Sequence, residues 1–236
     1  GTAVVNGYLG VMTWRDGRWS TLGFFGAVSD INSKDVIVGS YSVGLGAHAY
    51  QYNDGTFRDL GTLGGTYSSA SAINDKGVVV GTSYLAGDSA TRGFVYDNGA
   101  MTALGTLGGI SSTAADINSK GVIVGTAQDA TGTWQPYIQD RSGMRILANV
   151  PAGSTLFAIN DREQVIGTYA NANNQGSTSF LWEAGVMTPL ILLPAVQAAG
   201  WTSLFVMDMN DRGWITGWGW KVGGSPEGNA FALIPR

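Results

Sequence analysis

Three aspartates recur at one place in a repeated pattern. Asp30, Asp116 and Asp208 each stand two residues before an asparagine, Asn32, Asn118 and Asn210. In an extended strand that spacing puts carboxylate and amide on the same face. Side chains of this kind can do three things. They can supply the two carboxylates that glycosidic cleavage needs at controlled separation. They can hold a hard cation such as Ca2+ through oxygens, or they can anchor a strand end by accepting backbone N–H groups of a turn or a neighbouring strand. Two further copies carry Ala72 and Ala158 at that position, and all three aspartates fall beside a tight turn, which favours anchoring. No cofactor is expected, Ca2+ being the one ion such oxygens suit, and no spacing of ligands marks a metal site.

His48 is the one histidine. Its counterparts in the other copies are Arg92, Gln135, Thr178 and Asn229, so the position asks for a polar residue and not for an imidazole; a structural contact is the expected role. The tryptophans divide into two sets. Trp14 and Trp182 share one repeat position with Tyr52 and Tyr96, as core packing requires. Trp134, Trp201, Trp218 and Trp220 have no counterpart in most copies and belong to, or border, connections of variable length, where an indole with polar neighbours offers a surface to a sugar or a protein. These four are the candidate ligand-binding residues.

The element that positions all of these is a repeat. Ala72-Ile-Asn-Asp-Lys-Gly-Val-Val-Val-Gly81 has an Asn and, seven residues on, a Gly, and the same step runs from Asn32 to Gly39, Asn118 to Gly125, Asn160 to Gly167 and Asn210 to Gly217. Successive asparagines are 42, 44, 42 and 50 residues apart, a period that fits a four-stranded propeller blade. Segment A ends at the Asn and segment B at the Gly; C surrounds an aromatic such as Phe94, and D ends at Leu104-Gly105. Segment B (Val36-Ile-Val-Gly, Val78-Val-Val-Gly, Val122-Ile-Val-Gly) is apolar on both faces, as a strand between neighbouring blades must be. Asn74-Asp-Lys-Gly77 has tight-turn chemistry, and Asp35 and Glu163 replace its Gly in two copies with an expected strain. Asp54-Gly55, Asn98-Gly99 and Ala184-Gly185 join C to D by hairpins.

These segments predict an all-β propeller in a single domain over 1–236, with full repeats at about 30–71, 72–115, 116–157 and 158–207 and partial repeats at 1–29 and 208–236. Gly1 aligns with the strand-end Gly39. Counting C-D-A-B from residue 9 gives five blades, closed by interlocking termini, with six blades, two of them incomplete, as the alternative. The variable connections, at 40–46, 83–91, 127–134, 168–177, 190–202 and 218–228, gather at one end of the strands, where ligand contact is expected.

Composition sets the limits. Gly is 36 of 236 residues, about twice the usual ~7%, and much of it recurs at fixed turn and strand-end positions. A net charge of -4 with 13 Lys plus Arg offers no basic stripe for nucleic acid. The longest apolar run, 189–196, is too short and proline-broken to span a bilayer, and the absence of Cys rules out a disulfide framework.

Gly46-Ala-His48-Ala-Tyr-Gln-Tyr, Ala70-Ser-Ala-Ile-Asn and the run 99–109, which ends Gly105-Thr-Leu-Gly-Gly109, resemble the HAF repeats of bacterial extracellular proteins, named for a His-Ala-Phe at segment C. Only the aromatic of that triplet is kept here, as Tyr50, Phe94, Tyr137, Phe180 and Phe231. The resemblance implies an exported repeat protein, extracellular or at the cell surface, and carries no activity over. Two functions follow: a non-enzymatic binding module presenting variable loops to a glycan or protein partner, or a glycoside hydrolase or lyase using carboxylates of the propeller channel. The drift of those carboxylates between copies and the lack of a nucleophile motif favour the first.

Overall fold

A computed structural model describes residues 2–7, 10–171, 176–225 and 227–235. Gly1, the residue 9 from which the C-D-A-B count starts, residues 172–175 of one variable connection and residue 226 of another lie outside the described residues. The chain divides into two compact units, 1–106 with 110–117, and 107–109 with 118–236.

The first unit opens with an antiparallel sheet of β1 (Ala3–Gly7), β2 (Gly10–Arg15) and β3 (Arg18–Thr21). β4 (Ala27–Ile31), β5 (Ile37–Val43), β6 (Gly46–Asn53) and β7 (Thr56–Gly61) form an antiparallel meander, and so do β8 (Gly64–Ile73), β9 (Val79–Leu85), β10 (Thr91–Asp97) and β11 (Ala100–Ala103). One parallel bridge, Ala47 to Tyr67, joins the two meanders. β12 (Gly108–Ile117) crosses the division between the units.

In the second unit β13 (Ile123–Asp129), β14 (Trp134–Asp140) and β15 (Gly143–Ile146) pair in order. β16 (Thr155–Ile159), β17 (Val165–Ala170), β18 (Ser177–Glu183) and β19 (Val186–Pro189) form a full meander; β20 (Trp201–Met209), β21 (Ile215–Lys221) and β22 (Asn229–Leu233) form a three-stranded sheet. The one α-helix among the described residues, α1 (Pro194–Ala198), lies in the long link before β20 and buries Val196. The hydrogen-bonded groups therefore run A-B-C-D and not C-D-A-B. The reason is local: A-B, B-C and C-D are hairpins whose strands must pair, whereas the D-A link leads out of one sheet into the next.

Both turn types follow from residue chemistry. At C-D the pairs Asp54-Gly55, Asn98-Gly99 and Ala184-Gly185 have φ of 43° and 80°, 49° and 85°, and 49° and 86°, the doubly left-handed turn that matches strand twist. At A-B, Gly77 and Gly121 have φ of 86° and 85°, and Asp35 and Glu163 take the same region at 60°, a conformation costing an L residue about 1 kcal/mol.

The repeat Gly faces a different demand. A bulge interrupts the A-B register at Val28/Asp30, Ala70/Ala72, Leu156/Ala158 and Val206/Asp208. The A-strand carbonyl beside it presses on the Gly, so that a Cβ would stand 1.9 Å from the Ala27 oxygen at Gly39, 2.1 Å from that of Ser69 at Gly81 and 2.3 Å from that of Thr155 at Gly167. Opposite each Gly in register lies the C aromatic: Gly39 with Tyr50, Gly81 with Phe94, Gly125 with Tyr137, Gly167 with Phe180 and Gly217 with Phe231. The ring fills the space left by the missing side chain, and the first four aromatics are fully buried. In the first sheet Val5, not a Gly, stands opposite Met12, because that hairpin is short. Trp14, expected in the core, is 39% exposed, whereas Tyr96 is buried and Trp182 packs beside the core cluster of Val124, Leu156 and Phe180.

Each A-B turn is organised by its Asn. The Oδ1 of Asn32, Asn74, Asn118, Asn160 and Asn210 accepts the N–H groups two and four residues on, at 2.9–3.1 Å. The amide group then reaches the next repeat: Nδ2 of Asn32 donates to the Asn74 carbonyl at 3.1 Å, that of Asn118 to Asn160 at 3.1 Å and that of Asn160 to Asn210 at 3.2 Å. Beside it, the Ser33, Ser119 and Asp161 N–H groups donate to Asp75, Asp161 and Asp211.

A buried hydroxyl makes a second junction between repeats. Ser68 accepts the Ala49 N–H and Ser112 the Gly93 N–H, across from strand A to the preceding strand C. Between β18 and β20 the hydroxyl changes sides: Ser179 of strand C donates to the Leu204 carbonyl and accepts the Val206 N–H.

Asn160, 2% exposed, caps its turn and bonds the next repeat, whereas exposed Asn210 only caps. Asn160→Ala should lower stability by roughly 3 kcal/mol, since buried N–H groups lose their acceptor. Asn210→Ala should cost about 1 kcal/mol, as for an ordinary cap. Urea unfolding of the two variants measures the difference; equal losses would refute the inter-repeat role.

Candidate functional site

The Asp30 carboxylate is committed to backbone. Its Oδ1 accepts the Ile31 N–H at 2.7 Å and its Oδ2 the N–H of Ile73, one repeat on, at 2.9 Å. One aspartate thus serves two repeats, and the second has Ala72 where a second carboxylate would crowd the first. Asp116 accepts the Ile117 N–H, and Asp208 that of Met209, both at 2.7 Å. Among the described residues no three His, Cys, Asp or Glu side chains group as a cation site.

The four candidate tryptophans sit in strands, because the strands that flank the variable connections, A at Trp201, B at Trp218 and Trp220 and C at Trp134, run further into them than the sequence pattern suggests. Trp134 begins β14, Trp201 begins β20, and Trp218 and Trp220 end β21. Three of them share one sheet. Trp201 packs edge-on to Phe231 with ring centroids 5.5 Å apart, and the Lys221 ammonium lies 4.4 Å over its ring. It belongs to the face that covers the core cluster of Ile166, Leu190, Leu204 and Ile215. On the opposite face Phe205 stacks on Trp218 at 4.7 Å, and Trp220 meets both at 5.7 and 4.8 Å. Trp134 has no ring contact with this group among the described residues.

Trp134 adjoins a carboxylate the sequence pattern does not single out. Asp129 accepts from the Thr131 hydroxyl at 2.6 Å, the Gln135 amide at 2.9 Å and the Thr131 and Thr133 N–H groups. The Thr131 hydroxyl, then Gln135, hold its pKa down at about 2.

At three copies of the His48 position the polar side chain has a polar side-chain partner. His48 Nδ1 lies 2.9 Å from Asp59, Gln135 bonds Asp129, and Thr178 bonds Asn171. The ring of Tyr41 stands edge-on to His48 at 6.3 Å. Burial alone would raise the Asp59 pKa; hydrogen bonds from His48, the Gly61 N–H and Tyr41 outweigh it and leave the carboxyl below its usual range. Sequence reasoning missed this group because Asp59 lies 11 residues from His48, on the neighbouring strand, and only register brings them together.

Meandering sheets of this repeat define an all-β protein of the β-propeller type. Similar solved structures are TolB from Acinetobacter baumannii (14% identity, TM-score 0.56, covering 87% of this chain and 56% of that one) and the putative TolB from Agrobacterium tumefaciens (14%, 0.53, 76% of each). A third is the β-propeller domain of the Trilobed protease from Pyrococcus furiosus, described as having an open velcro topology (13%, 0.51, 78% and 59%). The chain thus spans little more than half the length of the first, and at these identities the likeness concerns fold alone. A family described as protein of unknown function (DUF3466) matches residues 60–142, and no curated protein matches the sequence. No helix among the described residues is long and apolar enough to cross a membrane.

The depressed Asp129 pKa has a pH signature. Its contribution to stability is fully present above the unfolded carboxyl value of about 4 and is lost as pH falls through the folded value of about 2. NMR titration of Asp129 should give that low midpoint, and Thr131→Val should move it upward; an unshifted midpoint in the variant would show that the hydroxyl is not the cause.

Proposed function

We propose that this chain is an exported interaction module that receives a glycan or a protein partner on the uncovered face of its last sheet and on strand ends adjoining its variable connections. The observation that carries the reading is the uncovered face of β20–β22. Phe205, Trp214, Thr216, Trp218 and Trp220 alternate with the residues that pack inward, and Trp214 and Trp218 keep 39% and 38% of their surface exposed. Aromatic side chains grouped on one exposed face suit a contact surface, and indoles offer a flat face together with an N–H donor. Export is supported by the likeness to HAF repeats, and a scaffold role by the propeller-type neighbours.

A carbohydrate-active enzyme using Asp30, Asp116 or Asp208 is the other reading. Both oxygens of Asp30 bond backbone N–H groups, which favours anchoring over acid-base work or Ca2+ binding. For the blade count we adopt six, the first contributing B, C and D (β1–β3) and the last A, B and C (β20–β22).

Titration with a panel of soluble polysaccharides, read by tryptophan fluorescence with reducing-sugar release in parallel, tests the reading. A bound glycan should lose several-fold affinity in Trp218→Ala and Trp134→Ala, as expected from about 1 kcal/mol per aromatic contact, with Trp182→Ala as the packing control. Release of reducing sugar abolished by Asp30→Ala at unchanged melting temperature would establish the enzyme instead.

A further inference from the structure

The last sheet ends the inter-repeat ladder with its donors and acceptors open. Asn32, Asn118 and Asn160, whose amides reach the following repeat, are 2–8% exposed. Asn210 is exposed, and among the described residues nothing takes its Nδ2 hydrogens, the Asp211 N–H or Asp208 Oδ2. Those are the groups that, at earlier junctions of the pattern, reach the next repeat from Asn160, Asp161 and Asp30.

The apolar part agrees. Ile166 of β17 packs against Leu204, Val206 and Ile215 of the following sheet. Thr216 stands six residues after Asn210, as Ile166 stands six after Asn160. The corresponding face of the last sheet therefore carries Trp214, Thr216 and Trp218, and both indoles are exposed. The hydroxyl junction agrees as well. Ala230 precedes the C aromatic Phe231 as Ala49 precedes Tyr50, so the last sheet presents the small residue that elsewhere faces a serine of the following strand A.

We propose that this face is the seat of a further blade of the same repeat, one with Ala two residues and Ser six residues before its Asn. Its Ile N–H takes Asp208 Oδ2, its Asn carbonyl takes the Asn210 amide, and its Asp carboxylate takes the Asp211 N–H. The Ala is required because Asp208 already supplies the oxygen, as Asp30 does for the repeat of Ala72. The proposal rests on the reading of the chain as an interaction module and chooses, for this face, a protein repeat over a glycan.

The test is an extended chain in which a second copy of residues 56–115, bearing Ser68 and Ala72, follows Arg236. The melting temperature should rise by about 4 °C or more, the shift that one to two kcal/mol produces at this size, and hydrogen exchange at the Asp211 N–H should slow at least tenfold. Asp208→Asn keeps one acceptor for the Met209 N–H but turns an N–H towards the incoming one. It should remove most of both gains in the extended chain and leave the unextended chain unchanged. An extension carrying residues 100–157, with Asp116 in place of the Ala, should gain less. An unprotected Asp211 N–H in the extended chain, or gains that survive Asp208→Asn, would overturn the proposal. So would concentration-dependent dimerisation of the unextended chain abolished by Asp208→Asn, which would assign the face to a second copy. Glycan binding weakened by Trp134→Ala alongside a failed extension would leave the interaction module standing and remove this inference alone.

Discussion

The asparagine side chain has two ends, and the repeat depends on their being used in different directions. The carbonyl end closes the A-B turn within its own repeat; the amide end reaches the main chain of the next. A turn that is well formed thereby points a donor outwards at a fixed height, and the neighbouring sheet is set against it. Neither Asp nor Ser could do both, since one lacks the donor and the other lacks the reach. The apolar packing between sheets, such as Val36 and Val38 against Ala70 and Ile73, is non-directional and would tolerate sliding; the amide fixes where it stops.

The bulge beside each turn is the second constraint. It draws the A strand over the B strand until a carbonyl occupies the place of a side chain, and only Gly fits beneath. The aromatic of strand C then covers the same Gly from the adjacent strand. Three strands are locked together by one missing Cβ, which accounts for a Gly and an aromatic recurring while the residues between them drift.

Much of this is legible in the sequence because turn chemistry and glycine positions act over a few residues. The seven-residue step, the hairpins at Asp54-Gly55 and Asn98-Gly99, and the buried B segments all stand where the pattern places them. What escapes depends on register between strands. The grouping of strands into sheets, the Asp59 partner of His48 and the service of Asp30 to the next repeat each join residues that no local spacing relates. The tryptophans escape for another reason. Trp201 and Trp218 are irregular in the repeat alignment, so the pattern places them in or beside the variable connections without a facing, and a strand accepts an indole on either face; only pairing with Lys221, Phe205 and Ala230 reveals that they point to opposite sides.

The migrating hydroxyl has an evolutionary consequence. Ser68 faces Ala49 across one junction, while Ser179 faces Leu204 across another. These two junctions each keep one hydroxyl and one apolar group but exchange which strand bears each. Either substitution alone is costly where it leaves buried main-chain groups without the hydroxyl. A unit moved from one kind of junction to the other would therefore meet a mismatched neighbour. A pair of neighbouring units copied together would keep the match.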